Sequence, residues 1–173
     1  MPWSIRNWTA GKKLYSSMDR FIIRKATVKD LEDILKLNFY LFKKEYKEFD
    51  KSLNLKWTYN EGKKYFRNKI KSKNSFVEVA EYKNKIIGYS CGSLIDGFYR
   101  KGTHAEMEDA IIKKEFRRRG VGSKFAQDFL NWCKNKKVDY VSVVVTAGNK
   151  VSVDFNKKLG FKERDLILEK KLK

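Results

Sequence analysis

Two groups of residues in this chain have types and spacing suited to chemistry. The first is the run Ile111 to Phe125, IIKKEFRRRGVGSKF, which reads as a strand end, a basic turn with two glycines and a helix start. Gly120 and Gly122 take two Cβ atoms out of the turn, so successive backbone N–H groups can converge on an anion. The helix that starts there adds the partly positive end of its dipole, and Arg117, Arg118 and Arg119 add full charges. This layout binds phosphate. The second group is His104, Glu106 and Glu108, which fall two apart in a run of strand character and therefore share one face. Two carboxylates and the chain's only imidazole are side chains that move protons.

The phosphate turn is neither of two common kinds. A P-loop ends in Gly-Lys-Ser/Thr, whereas Gly122 is followed by Ser123 and Lys124. The dinucleotide fingerprint needs a third glycine three residues after Gly122, where Phe125 stands. What remains, Arg117-x-x-Gly120-x-Gly122 behind an apolar strand, resembles the coenzyme A pyrophosphate loop of the GNAT superfamily of N-acetyltransferases. The flanking sequence extends the resemblance. Glu108 to Ile112 followed by Lys113 to Arg117 is similar to that family's fourth strand running into its loop. Asn149 to Phe161, NKVSVDFNKKLGF, is similar to its helix that opens with Asn and closes with Leu-Gly-Phe. The likeness rests on motifs from Ala105 to Leu172 and on the pattern of elements from Arg20 to Leu94.

The resemblance implies an α/β fold with a mixed, bent sheet of about six to seven strands and helices on both faces. It implies acetyl-CoA as the donor and direct transfer of the acetyl group, in a ternary complex, to a primary amine on a small molecule, a polyamine or a protein. The fourth and fifth strands would part and take the pantetheine arm between them, along Ala110, Ile111 and Ile112. The Ile112 N–H would then hold the developing oxyanion. Arg117, Arg118, Arg119, Gly120, Val121, Gly122 and Ser123 would hold the pyrophosphate, and Asn149 would contact the cofactor as well as cap its helix. An ammonium has no lone pair, so the acceptor needs a base. The resemblance puts Glu108 ahead of Glu106 for that role, with His104 third. One position departs from the family: Asn156 stands where many members have a tyrosine that protonates the leaving thiolate. An amide is no general acid, so Asn156 is left to hydrogen-bond the sulfur or a water, with Tyr140 or Tyr89 as replacements.

The elements that must position these groups follow from periodicity. Phe21 to Ala26 reads as a first strand, and Thr27 with Asp30 as a capping box for a helix whose apolar residues recur to about Tyr46. Glu45 to Tyr59 reads as a loop carrying the acids Glu45, Glu48 and Asp50 and the aromatics Phe49, Trp57 and Tyr59; with Phe98 to Thr103 it would shape the acceptor pocket. A second helix runs from Glu61 to Ser72. Ser75–Glu81 and Lys85–Leu94 form a hairpin about Lys83-Asn84-Lys85. His104–Ile112 is the fourth strand, Gly120–Lys137 the third helix, and Tyr140–Val145 a strand buried on both faces. Asn149 caps the fourth helix, Gly160 ends it, and Leu166–Leu172 supplies a last strand.

Composition bounds the reading. At 173 residues the chain makes one domain, placed at 18–173 behind an extension at 1–17. Cys91 and Cys133 lie far apart in apolar patterns without metal-ligand spacing, so reduced core cysteines, no metal and a cytoplasmic location are expected. No run of about 18 apolar residues calls for a membrane. The net charge is +19, from 40 Lys and Arg against 21 Asp and Glu, but the excess is spread along every segment. That favours a polyanionic cofactor and only non-specific adhesion to nucleic acid at low salt. Two other functions fit the same residues: an acyl-CoA-binding sensor that has lost chemistry at Asn156, and a basic nucleic-acid- or ribosome-associated protein. Either a monomer or a homodimer is compatible with the sequence.

Overall fold

The computed structural model describes residues 21–96 and 99–172. The extension expected at 1–17, and Phe98 of the expected acceptor pocket, lie outside the described residues. Five strands form one mixed sheet in the order β1 (Ile22–Lys25), β2 (Ser75–Tyr82), β3 (Lys85–Ile95), β4 (His104–Ile112), β5 (Tyr140–Val143). The first four pair antiparallel and β5 joins β4 in parallel. Helices α1 (Leu31–Glu48) and α2 (Glu61–Lys71) separate β1 from β2, α3 (Val121–Asn135) is the crossover from β4 to β5, and α4 (Lys150–Lys158) follows β5.

Both faces of β2 and β3 are covered, and alternation of their side chains divides the core between the two. Val77, Val79, Tyr89 and Cys91 pack with Leu31, Ile34 and Leu35 of α1 and Phe66 and Ile70 of α2. Phe76, Ala80, Ala105 and Met107 pack with Val121, Phe125, Ala126 and Phe129 of α3. The β2–β3 turn is of the type that suits strand twist, with Lys83 and Asn84 both left-handed at φ 48° and 59°. At the start of α1, the Asp30 carboxylate accepts from the Thr27 N–H at 2.8 Å, the reciprocal arm of a capping box, and also from the Thr27 hydroxyl at 2.9 Å. Arg24 bridges the same carboxylate to Glu81, tying β1, β2 and the helix start together.

Two expectations are corrected. Leu166–Leu172 forms no strand: Leu166, Ile167 and Leu168 are about four-fifths exposed and make no ladder with β5, so the described sheet has five strands rather than six or seven. Apolar β-forming residues become a strand only where a neighbouring strand completes their hydrogen bonds. Nor is β5 buried on both faces. Among the described residues it pairs only with β4, Tyr140 is half exposed, and the ladder ends at Val143.

One residue on the α3 face breaks the apolar pattern. Glu78 stands opposite Ser90 across β2 and β3, and both Glu78 Oε2 and Ser90 Oγ are buried without a hydrogen-bond partner. Burial first, then the nearby Asp128 carboxylate, push the Glu78 pKa up to about 7, with Lys124 opposing. The folded chain therefore holds a proton that the unfolded chain has already released, and the contribution of this residue to stability falls as pH rises from about 4.5 through 7. Glu78→Gln is expected to match the wild type at pH 4 to 5 and to exceed its melting temperature by about 3 °C at pH 8, as read by thermal denaturation across pH. Equal differences at both pH values would show that Glu78 does not titrate in this range.

Candidate active site

The site begins with one extra residue in β4. Asp109 is the partner of Cys91 and Met107 is the partner of Gly92, so Glu108 has no opposite residue and β4 bulges there. Before the bulge, Ala105 and Met107 face α3. After it, Asp109 and Ile111 face α1 while Ile112 joins the α3 side. Glu106, Glu108 and Asp109 consequently all lie on the α1–α2 side of the strand.

The bulge also exchanges the residues that present backbone groups to the outer edge of β4. Lys113 N–H donates to the Ile87 carbonyl at 2.8 Å. Antiparallel alternation therefore turns Ile111 and Asp109 toward β3, and Ala110 and Ile112 away from it. On that outer edge β5 pairs with His104 to Met107 and goes no further. From Glu108 to Ile112 no strand among the described residues pairs with this edge, which is open there, and Ala110 is exposed. An extended ligand can complete the ladder there as an added strand.

The glycine loop adjoins the same end of β4. Gly120 sits at φ 86° as the cap of α3, a left-handed conformation suited to glycine. The turn into α3 ties back to the loop through the bond from Lys124 N–H to the Gly120 carbonyl at 3.0 Å, so the N–H groups of Val121, Gly122 and Ser123 stand ahead of the helical ladder. A Cβ on Gly122 would lie 3.5 Å from Ile112 Cδ1 and 3.6 Å from Phe155, which places the helix start against the end of β4 and against α4. Of the three arginines, Arg117 is held by its Nε bond to the Ile112 carbonyl at 2.9 Å, and Arg119 lies over the Phe116 ring. Arg118 is exposed and left-handed at φ 59°.

The two strand acids have different surroundings. Glu108 accepts hydrogen bonds from Lys69 Nζ at 2.5 Å, from Ser93 Oγ at 2.5 Å and from the Tyr65 hydroxyl. Burial alone would raise its pKa, but these donors more than offset that and hold it below the ordinary carboxylate value. Glu106, one pleat away, is raised instead, by burial and by the charge of Glu108, against a bond with Ser142 and the charge of Lys69. His104 is buried at the far end of β4, stacked on Tyr140, with Nε2 3.3 Å from the Lys101 carbonyl.

The remaining predicted residues are placed as follows. Asn149 caps α4 by accepting from Ser152 N–H at 3.2 Å, and its amide donates to Glu45 Oε1 at 3.3 Å. Glu45 also accepts from Thr146, so the last turn of α1 is tied to the segment between β5 and α4. Asn156 is buried and donates to the Ser152 carbonyl of its own helix at 2.9 Å. Tyr89 is fully buried and donates to Asp109, and Tyr140 lies beside His104, so neither hydroxyl stands at the open edge. Phe42, Trp57 and Tyr65 form a continuous aromatic wall leading to Glu108. Sequence reasoning missed Lys69, Tyr65 and Asp109. Lys69 and Tyr65 sit on a helix with a clear apolar face, and only the i, i+4 spacing of these two on one stripe hints that they act together.

Comparison with known proteins shows the family and the fold. Residues 31–161 match the Acetyltransferase (GNAT) family. An uncharacterized N-acetyltransferase of Methanocaldococcus jannaschii is 28% identical over 161 residues, covering 91% of this chain and 68% of that protein. A predicted acetyltransferase from Clostridium acetobutylicum, solved with acetyl-CoA, aligns with a TM-score of 0.72 at 23% identity over 88% of this chain and 97% of the other. The aminoglycoside N-acetyltransferase AAC(6')-Iy, solved with CoA, aligns with a TM-score of 0.70 at 18% identity over 92% and 99%. No helix among the described residues is long and apolar enough to cross a membrane.

The Lys69–Glu108 contact is tested by mutation. Lys69→Met leaves a buried carboxylate without its cation and is expected to cost roughly 3 kcal/mol in denaturant unfolding. Adding Glu108→Gln should restore part of that, giving a coupling energy above about 1 kcal/mol in the double-mutant cycle. Additive effects would mean that the pair contributes no net attraction.

Proposed function

Since the chain belongs to the GNAT acetyltransferase family, we propose that it transfers the acetyl group of acetyl-CoA directly to a primary amine. The observation that carries this reading is the conjunction of the open β4 edge at Ala110 and Ile112 with the unladdered N–H groups of Val121, Gly122 and Ser123 beside it. Acetyl-CoA has a pyrophosphate for the second and an amide-bearing arm for the first. When bound, it supplies the thioester that is broken in the transfer. The residues that would hold it are Ala110, Ile111 and Ile112 along the strand edge and Arg117 to Ser123 in the loop, with Asn149 at the start of α4. The relatives solved with acetyl-CoA and CoA support the same assignment.

In this reading the Ile112 N–H is the oxyanion donor, and the bond from Arg117 to the Ile112 carbonyl holds the peptide that follows it. Glu106 is the base, in preference to Glu108. A carboxylate with a raised pKa accepts a proton more readily, and Glu106 has one, whereas Glu108 is held ionised by three donors. Glu108 then serves as a fixed negative charge that raises Glu106 and favours a cationic amine nearby. The aromatic wall of Phe42, Trp57 and Tyr65 bounds the acceptor side. A second reading, acyl-CoA binding without turnover, draws support from Asn156, whose amide is committed to its own helix and offers no acid to the leaving thiolate.

Calorimetric titration separates these possibilities. Wild type is expected to bind acetyl-CoA saturably, and Gly120→Asp/Gly122→Asp to weaken binding about 100-fold by placing carboxylates where the anion sits. No binding by wild type would overturn the cofactor assignment, and binding without thiol release on a broad amine panel would favour the sensor. In a second prediction, kcat/KM of the wild type rises with pH through the Glu106 ionisation. Glu106→Gln should lose that limb together with about 10²- to 10⁴-fold in rate. An unaltered profile in Glu106→Gln would remove this residue from the proton transfer.

A further inference from the structure

A chain of polar side chains behind β4 takes no part in the roles described so far. Thr58 donates to Asn38 Oδ1 at 2.8 Å. Asn38 Nδ2 donates to the Tyr89 hydroxyl oxygen at 3.0 Å and to Asp109 Oδ2 at 3.2 Å, and the Tyr89 hydroxyl donates to the same Asp109 oxygen at 2.9 Å. Asn38, Thr58 and Tyr89 are each 0% exposed. Groups from α1, the loop before α2 and β3 are thus linked in one hydrogen-bonded chain to the Asp109 carboxylate of β4, beside an apolar cluster. Burial raises the Asp109 pKa in spite of the hydrogen bonds from Tyr89 and Asn38. Apolar side chains of similar volume would fill this space without the desolvation cost. What they would not do is hold one strand in one phase.

Asp109 is the residue that the bulge turns over. In an unbulged β4 it would alternate with Glu108 and point into the Met107 and Phe129 cluster under α3, away from Tyr89 and Asn38. Ala110 and Ile112 would then direct their amides at β3, and Asp109 and Ile111 would take the open edge. A one-residue difference in phase therefore decides which amides meet a ligand. Gly92 makes the bulged form possible at the crowded point, since a Cβ there would stand 2.4 Å from the Glu106 carbonyl oxygen and 2.5 Å from the Phe129 ring. Something must still select that form, and the two donors aimed at Asp109 Oδ2 do so.

We propose that Asp109, gripped by Tyr89 and Asn38, is a positioning residue that locks the phase of β4, and so aims the Ala110 and Ile112 N–H groups into the acyl-CoA cleft. Thr58 extends the grip to the loop on the acceptor side. The inference rests on the acetyl-CoA reading given above, and it assigns to Asp109 no contact with substrate.

The test compares Asp109→Leu with the conservative Asp109→Asn in the full chain. It reads amide chemical shifts on adding acetyl-CoA and steady-state rates with the amine that is turned over fastest. In wild type, acetyl-CoA should shift the amides of Ala110 and Ile112 together with those of Gly120 to Ser123. In Asp109→Leu the loop shifts should persist and those of Ala110 and Ile112 should vanish, with kcat lower by about 100-fold and KM for acetyl-CoA within about threefold. Asp109→Asn keeps an acceptor oxygen and should retain the shifts and all but about tenfold of kcat. Full shifts with kcat within twofold of wild type in Asp109→Leu would overturn the proposal. If that variant does not fold, Tyr89→Phe and Asn38→Ala decide: each should lower kcat about threefold to tenfold, and unchanged kcat in both would overturn it. In wild type, loop shifts without Ala110 and Ile112 shifts would overturn this proposal alone, whereas no shifts anywhere would overturn the cofactor assignment itself.

Discussion

The constraint on which the site depends is the count of residues in β4. A strand alternates strictly, so one added residue exchanges both the faces and the edges of everything that follows it. Here the added residue is Glu108, and its position sets three things at once. It lets two neighbouring carboxylates, Glu108 and Asp109, lie on the same side of the sheet. It passes the outward amides from the odd positions before the bulge to Ala110 and Ile112 after it. It also coincides with the end of β4–β5 pairing at Met107 and Val143, so the outward amides are turned over where the edge becomes free. A site built on backbone groups makes few demands on side-chain identity, but it demands a strand in the right phase.

Electrostatics then separates groups that look alike in sequence. Glu106 and Glu108 share a strand, a face and a residue type, yet one is raised and the other lowered. The cause is not depth, since both are partly buried. It is the donor set: α2 delivers Lys69 and Tyr65 to Glu108, β3 adds Ser93, and Glu106 faces Ser142 and its charged neighbour. The large positive charge of the chain does not enter this local balance. It acts at longer range, as a field that concentrates anions near a loop already supplied with arginines.

Much of this was legible in the sequence because it is local. The span of β4, the hairpin at Lys83 and Asn84, the capping box at Thr27 and Asp30, and the cap at Asn149 each follow from a few adjacent residues. The glycine loop was legible for the same reason. The bulge was not, because His104 to Ile112 reads equally well as a regular strand, and the register is set by Gly92 and by donors at positions 38 and 89. The order of the two glutamates was hidden likewise, since Lys69 is 39 residues away from Glu108. The expected last strand failed in the opposite sense: Leu166 to Leu172 has strand composition, and composition does not supply a neighbour.

The departure at Asn156 carries an argument about where the catalytic energy comes from. Its amide serves the helix, and Tyr89 and Tyr140 of the sheet are occupied elsewhere, so none of these three offers a proton at the outer edge of β4 after Met107. A thiol with a pKa near about 8.5 is a tolerable leaving group without one. The step that cannot be left unaided is the attack, because an ammonium has no free electron pair and a thioester oxygen gains charge as the bond forms. In the proposed mechanism that step falls to the Glu106 carboxylate, with its raised pKa, on one side and to the Ile112 amide, turned outward by the phase of β4, on the other. In that mechanism the absence of an acid is tolerable in proportion to how firmly the proposed amide and base are held, and both lie in the same nine residues of β4.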